Sequence, residues 1–376
     1  MGIKTVRVAS HFNDIVGDRK TVKRPRLTMC LYDHFRPATA DGHEAANQNE
    51  IDGNGTYSKN PAKFSASAAA KQKRLLRTFR AHADVVPVQA DAEAGPDQVF
   101  TADGTFTLVI AGHHYTVISK FTNEKRQSEV DAQITAIKAS DIGRGVQRTF
   151  IEMPFNFEGT GDAVYDVFRD VVWAGYNPNG ASVKTADQGR SDIRAHRFLE
   201  QKLGVEFLSL PSKNPGYHVD TVLAPLSKGH MLVSVDVIDP SALEILKENA
   251  FRRFGMDPDE YLIPVTGDDA ANYATNLRCF GDHIIMPTCS KALQETLENA
   301  GYKVTVVDLE EFLAAGGSGH CLSNNIDEER IIGGVAAILG LTDCNKKDLP
   351  LPIRPAAHSA ANLNGQAAEM PLQPVR

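Results

Sequence analysis

The chain has 376 residues, 42% of them hydrophobic and 23% charged, with a formal net charge of -7 and a pI of about 6.0. That is ordinary globular composition, with length enough for a large core in one large domain or two medium ones. Mild acidity argues against a general nucleic-acid binder, which carries a basic face, and no apolar run is long enough to span a membrane. The five cysteines, Cys30, Cys279, Cys289, Cys321 and Cys344, are odd in number, widely spaced and without a C-x-x-C pair. Neither a structural zinc site nor a disulfide framework is expected. Cys30, Cys279 and Cys289 read as small core residues. The first 24 residues lack the apolar core of a signal peptide, so the chain reads as cytoplasmic and reduced.

Residues 1–24 read as a loosely held arm and 26–32 as a first strand. Residues 33–63 are polar and without a clear period, a long loop of the kind that carries function or stays disordered. A helix follows over 65–80, with Leu75, Leu76 and Phe79 on one side, then a buried strand over 83–88. Pro96 and Gly104 bracket a short strand with Asp97 and Asp103 near its ends. Strands are expected at 105–110 and 115–119, a helix at 129–139, and strands at 150–153, 161–167 and 171–174. Residues 176–189 form a Gly/Asn-rich loop, and 191–203 a helix capped by Ser191. Strands at 205–208, 219–223 and 231–235 lead to a helix over 240–254 with Pro240 in its opening turn. Strands at 261–265, 275–279 and 283–287, a helix at 290–300, a strand at 303–307 and a helical turn at 308–314 complete the pattern. Beyond about residue 345 the chain is Pro- and Ala-rich and reads as mostly unstructured. One theme recurs: two or three short strands, a helix, another strand. That recurrence points to a closed propeller of α/β units over 25–344, ahead of a doubly wound sheet, which lacks its G-x-G-x-x-G loop here.

Several chemistry-bearing stretches stand apart. Gly316, Gly317 and Gly319 precede Cys321, and a glycine-rich turn ending in a cysteine either presents a thiolate or connects two elements around a small buried residue. His218 and Asp220 lie two apart in a segment read as a strand, which puts both on one face as a tuned proton carrier or as a plain hydrogen-bonded pair. Glu158 and Asp162 flank two glycines, as in a hairpin turn. With Asp97, Asp103 and Arg190 nearby in kind, the set suggests carboxylates clamping a flat cation such as guanidinium. Cys321 then attacks its central carbon while His218 moves protons to the leaving amine and from water.

On these residues the chain resembles the guanidino-group-modifying enzymes, the pentein superfamily, over about residues 27–330. The matching stretches are Met29-Cys30 with Asp33-His34-Phe35, residues 96–103, Arg126-Gln127-Ser128-Glu129, and residues 157–163. Trp173-Ala174-Gly175-Tyr176, residues 217–226, Asn276 and residues 308–322 complete them. The nearest branch in pattern holds dimethylarginine dimethylaminohydrolases, arginine dihydrolases and amidinotransferases. The resemblance implies a five-bladed α/β propeller and hydrolysis of guanidino C–N bonds in arginine or a substituted arginine. The alternatives are amidino transfer to an amine, or dihydrolysis to ornithine. It implies Cys321 as nucleophile, His218 as general acid/base and Glu158 as its orienting group. Asp103 and Asp220 are implied on the guanidinium, Arg126 and Arg190 on a substrate α-carboxylate, and Asp97 among the substrate-binding residues. No metal and no organic cofactor are expected; the partner is a small guanidino compound, and an assembly of identical copies stays open. Three departures bear on specificity. Asp103 stands where the branch often has Asn, as its arginine dihydrolases do; an Asp there with Asp220 also present resembles an arginine deiminase. Residues 41–63 replace a shorter, more apolar lid, and the loop over 177–189 is longer.

Overall fold

Five short three-stranded sheets stand in a ring in the computed structural model, which describes residues 24–37, 48–91, 94–180, 189–213 and 216–338. β1 (Arg26–Cys30) and β2 (Asp84–Val88) begin the chain's first sheet. β3 (Thr105–Ile110), β4 (His113–Ile118) and β5 (Gln147–Glu152) form the next; β6 (Ala163–Asp166), β7 (Val171–Tyr176) and β8 (Glu206–Pro211) follow. β9 (Leu223–Pro225), β10 (Met231–Ser234) and β11 (Leu262–Val265) make the fourth, and β12 (Arg278–Phe280), β13 (His283–Met286) and β14 (Lys303–Val306) the fifth. β15 (Asn324–Asn325) then returns to pair with β1, Leu27 opposite Asn325.

One rule builds every sheet. The first two strands run antiparallel, a helix crosses over, and the third strand pairs parallel with the second. A parallel pairing needs such a crossover, which a tight turn cannot supply. In the first sheet β15 takes the first strand's place, so the ring closes only when the C-terminal strand is laid down. The crossover helices show their signals locally. Pro61–Phe79 starts with Pro at its first turn and the Asn60 side chain accepting from Lys63 N, and it buries Phe64, Ala68, Leu75, Leu76 and Phe79. Such a stripe packs a helix onto its sheet. The apolar clusters lie between neighbouring sheets; one of them joins Phe168, Trp173, Leu210, Leu223, Val233 and Phe251.

The doubly wound alternative is excluded by the five separate sheets. Several local expectations are corrected. Part of the polar stretch 33–63 is helical, over Gln48–Lys59, and Gly53 sits so close to Ala314 that a Cβ there would lie 2.3 Å from its carbonyl oxygen. Tertiary contact, not periodicity, holds that helix. The segment holding Asp97 and Asp103 is no strand but two 3-10 turns, Pro96–Val99 and Thr101–Gly104. The segment around Asp220 is likewise a 3-10 turn, Val219–Thr221, so His218 and Asp220 do not share a strand face. Asp192, not Ser191, caps the Ile193–Leu203 helix, because the Ser191 hydroxyl is given to Asp162. Cys30 is buried as expected, but Cys279 and Cys289 are only partly so. The arm over 1–23, most of the loop over 177–189 and the tail over 345–376 lie outside the described residues.

Arg26 locks the closure. Fully buried on β1, it donates to Asp327 Oδ2 at 2.7 Å and Oδ1 at 2.6 Å, just after β15, and to Asp141 at 2.8 Å. Removing one partner of a buried pair leaves the other charge uncompensated. We therefore expect Arg26→Met to cost about 3–5 kcal/mol in urea unfolding at pH 7. Burial alone would raise the Asp327 carboxyl, but hydrogen bonds from Arg26 and His114 outweigh it and hold it well below its ordinary value. A depressed carboxylate stabilises the fold above its unfolded pKa and loses that contribution as pH falls through the folded one. The wild-type advantage over the variant should thus shrink below about pH 4.

Candidate active site

β3, β6, β9, β12 and β15 lie nearest the axis, where residues of all five line one central cavity. Just before each of them stands a side chain of chemical interest: Asp103, Asp162, Asp220, Asn276 and Cys321 in turn. The five loops that carry them are laced together. Ala102 N donates to Cys321 O, Thr160 N to Ala102 O, and Asp220 N to Gly161 O. The Asn276 amide donates to Asp220 O, and His320 N donates to Asn276 O, returning to the start. Buried backbone groups must find partners, and here they find them in the next loop round the ring. The residues far apart in sequence are thereby held around one axis.

Cys321 is 3% exposed. Asn276 Oδ1 accepts from the backbone N of both His320 and Cys321 at 3.1 Å, while its Nδ2 lies 3.1 Å from the sulfur. The thiol donates to Asp220 Oδ2 at 3.2 Å. Burial, and then the Asp220 and Asp103 carboxylates, push the thiol well above its ordinary value, so it rests protonated. The glycine before it is obligatory: a Cβ on Gly317 would meet the Phe100 ring at 2.5 Å.

His218 is buried, with Nε2 at 2.9 Å from Glu158 Oε2 and Nδ1 at 3.6 Å from Asp103 Oδ1. Burial would lower its pKa, but Asp103, Asp162 and Glu158 raise it to about 9. Glu158, also held by Thr122 N at 3.0 Å, is brought down to about 2 against its own burial, chiefly by the His218 hydrogen bond. The pair rests as imidazolium and carboxylate. Gly161 lets Asp103 and His218 approach, since a Cβ there would fall 2.6 Å from Asp103 Oδ1 and 2.9 Å from His218 Nδ1.

Asp103 and Asp220 each offer an open oxygen. Asp103 Oδ2 takes Arg126 at 3.1 Å, and Asp220 Oδ2 takes His320 Nδ1 at 2.8 Å besides the thiol. The other oxygen of each is buried without a hydrogen-bond partner, as is Asp162 Oδ1, and Asp103 Oδ1 has only the His218 Nδ1 contact at 3.6 Å. Burial raises Asp103 to about 6, with His218 and Arg126 opposing. Arg126, expected on a substrate carboxylate, is ringed here by acids. Glu129 holds it through contacts of 3.0–3.2 Å and Asp97 lies 3.9 Å away, so with Asp103 it has three acidic neighbours. It props Asp103, and Asp97 stands behind it rather than at the open oxygens. Arg190 is not so engaged: its guanidinium lies 5.2 Å from the Tyr217 ring centre. Asn276 was visible only as part of a pattern and His320 not at all; both precede inner strands, a position that shows only once the blades are counted.

A five-sheet ring with a buried cysteine, a paired histidine and carboxylates gathered around its axis places the chain in the pentein superfamily. The chain belongs to the N,N dimethylarginine dimethylhydrolase (eukaryotic) family, whose pattern matches residues 37–327. It is 33% identical over 270 residues to the bifunctional arginine dihydrolase/ornithine cyclodeaminase ArgZ of Synechocystis sp., covering 71% of this chain and 34% of that one. The chain thus spans about a third of the length of that bifunctional relative. It is 28% identical over 261 residues to the N(G),N(G)-dimethylarginine dimethylaminohydrolase of Mycobacterium tuberculosis, covering 69% and 76% of the two chains. The crystal structure of the N-terminal domain of cyanobacterial ArgZ, a Cys-to-Ser mutant bound to substrate, matches with a TM-score of 0.64 at 30% identity, over 82% of this chain and 100% of that one. Among the described residues no helix is long and apolar enough to cross a membrane, and no group of three or more His, Cys, Asp or Glu could hold a metal ion.

Proposed function

We propose that the chain hydrolyses the guanidino group of free arginine through Cys321, in two rounds that lead by way of citrulline to ornithine. The observation that carries the reading is the pair of buried, unpartnered oxygens on Asp103 and Asp220 beside the thiol. A buried acceptor without a donor is costly, and a guanidinium brings a planar fan of donors with the matching charge. Arg190 is the group left to meet the α-carboxylate. The dihydrolase relatives, and an ArgZ structure described as covalently bound to a reaction intermediate, support the covalent route.

The chemistry follows from the charges. A guanidinium beside Cys321 favours the thiolate, whose proton leaves to solvent. The sulfur adds to the central carbon, and the C–N bond breaks as the His218 imidazolium gives its proton to the departing ammonia. Neutral His218 then takes a proton from water, the hydroxide adds to the same carbon, and the C–S bond breaks to free citrulline and the thiolate. Glu158 stabilises the imidazolium throughout. A second round on the ureido group releases a second ammonia and a carbamate, which loses carbon dioxide to give ornithine.

One observation favours a second reading, in which the reaction stops at citrulline. For the second ammonia to leave past His218, the ureido oxygen must face a carboxylate, and an ionised Asp103 there repels it. Mass analysis of products from arginine, with and without glycine as acceptor, tests all of these. Ornithine supports the first reading, citrulline alone the second, and guanidinoacetate overturns both in favour of amidino transfer.

A pH profile with two breaks is expected for kcat/KM, which reports groups of the free enzyme. Above about 9 His218 loses the proton the leaving group needs. Below about 6 Asp103 gains a proton and ceases to accept from the guanidinium. kcat/KM should fall below about 6 and stop climbing at about 9, where loss of the His218 proton offsets the gain in thiolate; a value that keeps climbing in proportion to hydroxide above pH 9 would remove His218 as the acid.

A further inference from the structure

The inner strands do more than carry the catalytic loops. Below the loops they enclose a cavity of about 620 Å³ on the ring axis, within the range of small-molecule sites. Its inner end is closed by Thr160, Asp220, Thr275 and His320, the rear of the active-site wall. Its far end is bounded by Ser227, Gly281 and Val167, which follow the ends of β9, β12 and β6. The catalytic residues precede the starts of those strands, so this mouth lies at the opposite end of the ring.

Of the charged residues lining this space, Asp220 is held by His320 and Cys321, Asp327 by Arg26, and Glu329 is exposed, which leaves Arg278 and Glu328, not paired with each other at bonding distance. Arg278 on β12 donates to Ser323 Oγ at 2.9 Å, to His320 O at 3.3 Å, and to Ser323 O. All three acceptors are uncharged, and burial pulls the guanidinium down to about 10. Glu328 is raised by burial and pulled back by Arg278 from a distance; its Oε2 accepts from Asn325 Nδ2 at 2.5 Å. Both side chains keep accessible surface although protein encloses them, because that surface faces the cavity. A buried guanidinium with only neutral partners lacks its natural counter-ion. The rest of the accessible wall includes Val164, Val167, Pro225 and Phe280, which is apolar.

We propose that this rear cavity is a second, non-catalytic site that takes a free α-amino acid with an apolar side chain. Its carboxylate meets Arg278, its ammonium faces Glu328, and its side chain lies on the apolar wall. An anion alone would meet the carboxylate of Glu328, and a cation alone would meet Arg278; a zwitterion satisfies both. The site is wired to the nucleophile. Arg278 grips the carbonyls of His320 and Ser323, on either side of Cys321, and a carboxylate that draws its fork away loosens both. The occupant therefore changes the chemical step rather than arginine binding. This coupling rests on the hydrolase reading above; binding itself does not.

L-leucine is the probe. Calorimetric titration of the full chain with L-leucine reads binding without any turnover, so an inactive protein that binds would sink the hydrolase reading and leave the site standing. With arginine as substrate, L-leucine should change kcat at least about twofold with KM unmoved, the pattern of an effect confined to the transition state. Glu328→Gln should weaken L-leucine binding about tenfold, the loss of one charge-assisted contact, with turnover in its absence unchanged. No heat at millimolar L-leucine, a rise in KM alone, or equal affinity in Glu328→Gln each overturns the proposal. A rise in KM would assign the amino acid to the front site.

Discussion

Cys321→Ala should leave the ring folded and abolish turnover of arginine, by about 10⁴-fold or more, as the loss of a nucleophile does when the rest of the site remains. The size of the loss follows from the geometry. Among the described residues Cys321 is the thiol that hydrogen-bonds to Asp220, at 3.2 Å, while Cys30 donates to Gln98 at 3.9 Å. Water attacking directly would have to expel an amine from a cation with no covalent intermediate to divide the barrier. The variant should still bind arginine, because both carboxylates and the Glu158–His218 pair do not depend on the sulfur. Calorimetry for binding and mass analysis for product separate the two. Turnover that survives in the alanine protein would remove Cys321 as the nucleophile. The resting thiol supplies a companion measurement. Burial and the acids keep it protonated, so a bound cationic arginine analogue should lower its apparent pKa in alkylation rates, where a neutral analogue should not.

The ring was legible in the chain before its site was. Short strands followed by one amphipathic helix and a further strand announce a repeated unit, because each helix needs its own apolar stripe and each parallel pairing its own crossover. The stripe of Phe64, Leu75, Leu76 and Phe79 is of that kind. The site loops carry no such period. Residues 96–104 and 217–221 look like strands by residue type, with Val, Phe and Thr among them. They are 3-10 turns because Ala102, Thr160 and Asp220 give their backbone N–H groups to the next loop around the ring instead of to a neighbouring strand. That choice is tertiary and leaves no local mark. The same cause explains Arg126. Its spacing suits a substrate-binding arginine, while its contacts with Glu129 three residues on, with Asp97 and with Asp103 show only in the folded chain. Asn276 shows the converse: nothing in Thr275-Asn276-Leu277 points to chemistry, yet its amide fixes Cys321 from two sides.

Seen down the axis, charge is distributed so that each group is held in one state by its neighbours. Glu158 stays ionised because His218 is charged, and His218 stays charged because three carboxylates surround it. Asp103 is held less firmly than Glu158 and His218. One oxygen is tied to Arg126, the other is free, and burial brings its titration to about 6, within reach of ordinary solution conditions. A bound guanidinium keeps it ionised. A neutral ureido group gives no such help, and proton uptake then becomes favourable.

Asp103→Asn should therefore raise the ratio of ornithine to citrulline about tenfold, the worth of one repaired hydrogen bond in a buried site. After the first round the carbon carries one oxygen and one remaining free amine. For that amine to leave, it must stand where His218 can protonate it, which turns the oxygen toward an acidic group. An ionised carboxylate offers only acceptors, but an amide offers a donor, and so does a protonated carboxyl. In the wild-type protein the ratio should accordingly rise as pH falls through about 6, where Asp103 takes up its proton. In the Asp103→Asn protein it should start high and lose that pH dependence, since an amide does not titrate. The cost falls on the first round: the substituted amide carries no charge for the guanidinium, so KM for arginine should rise while the second hydrolysis quickens. Product ratios by mass spectrometry at about pH 5.5 and about pH 8, on either side of that titration and taken at equal consumption of arginine, measure both effects at once. Ratios that stay the same across pH and substitution would move the control of the second round away from Asp103 and onto Asp220 or Asp162, whose Oδ1 atoms are also without hydrogen bonds.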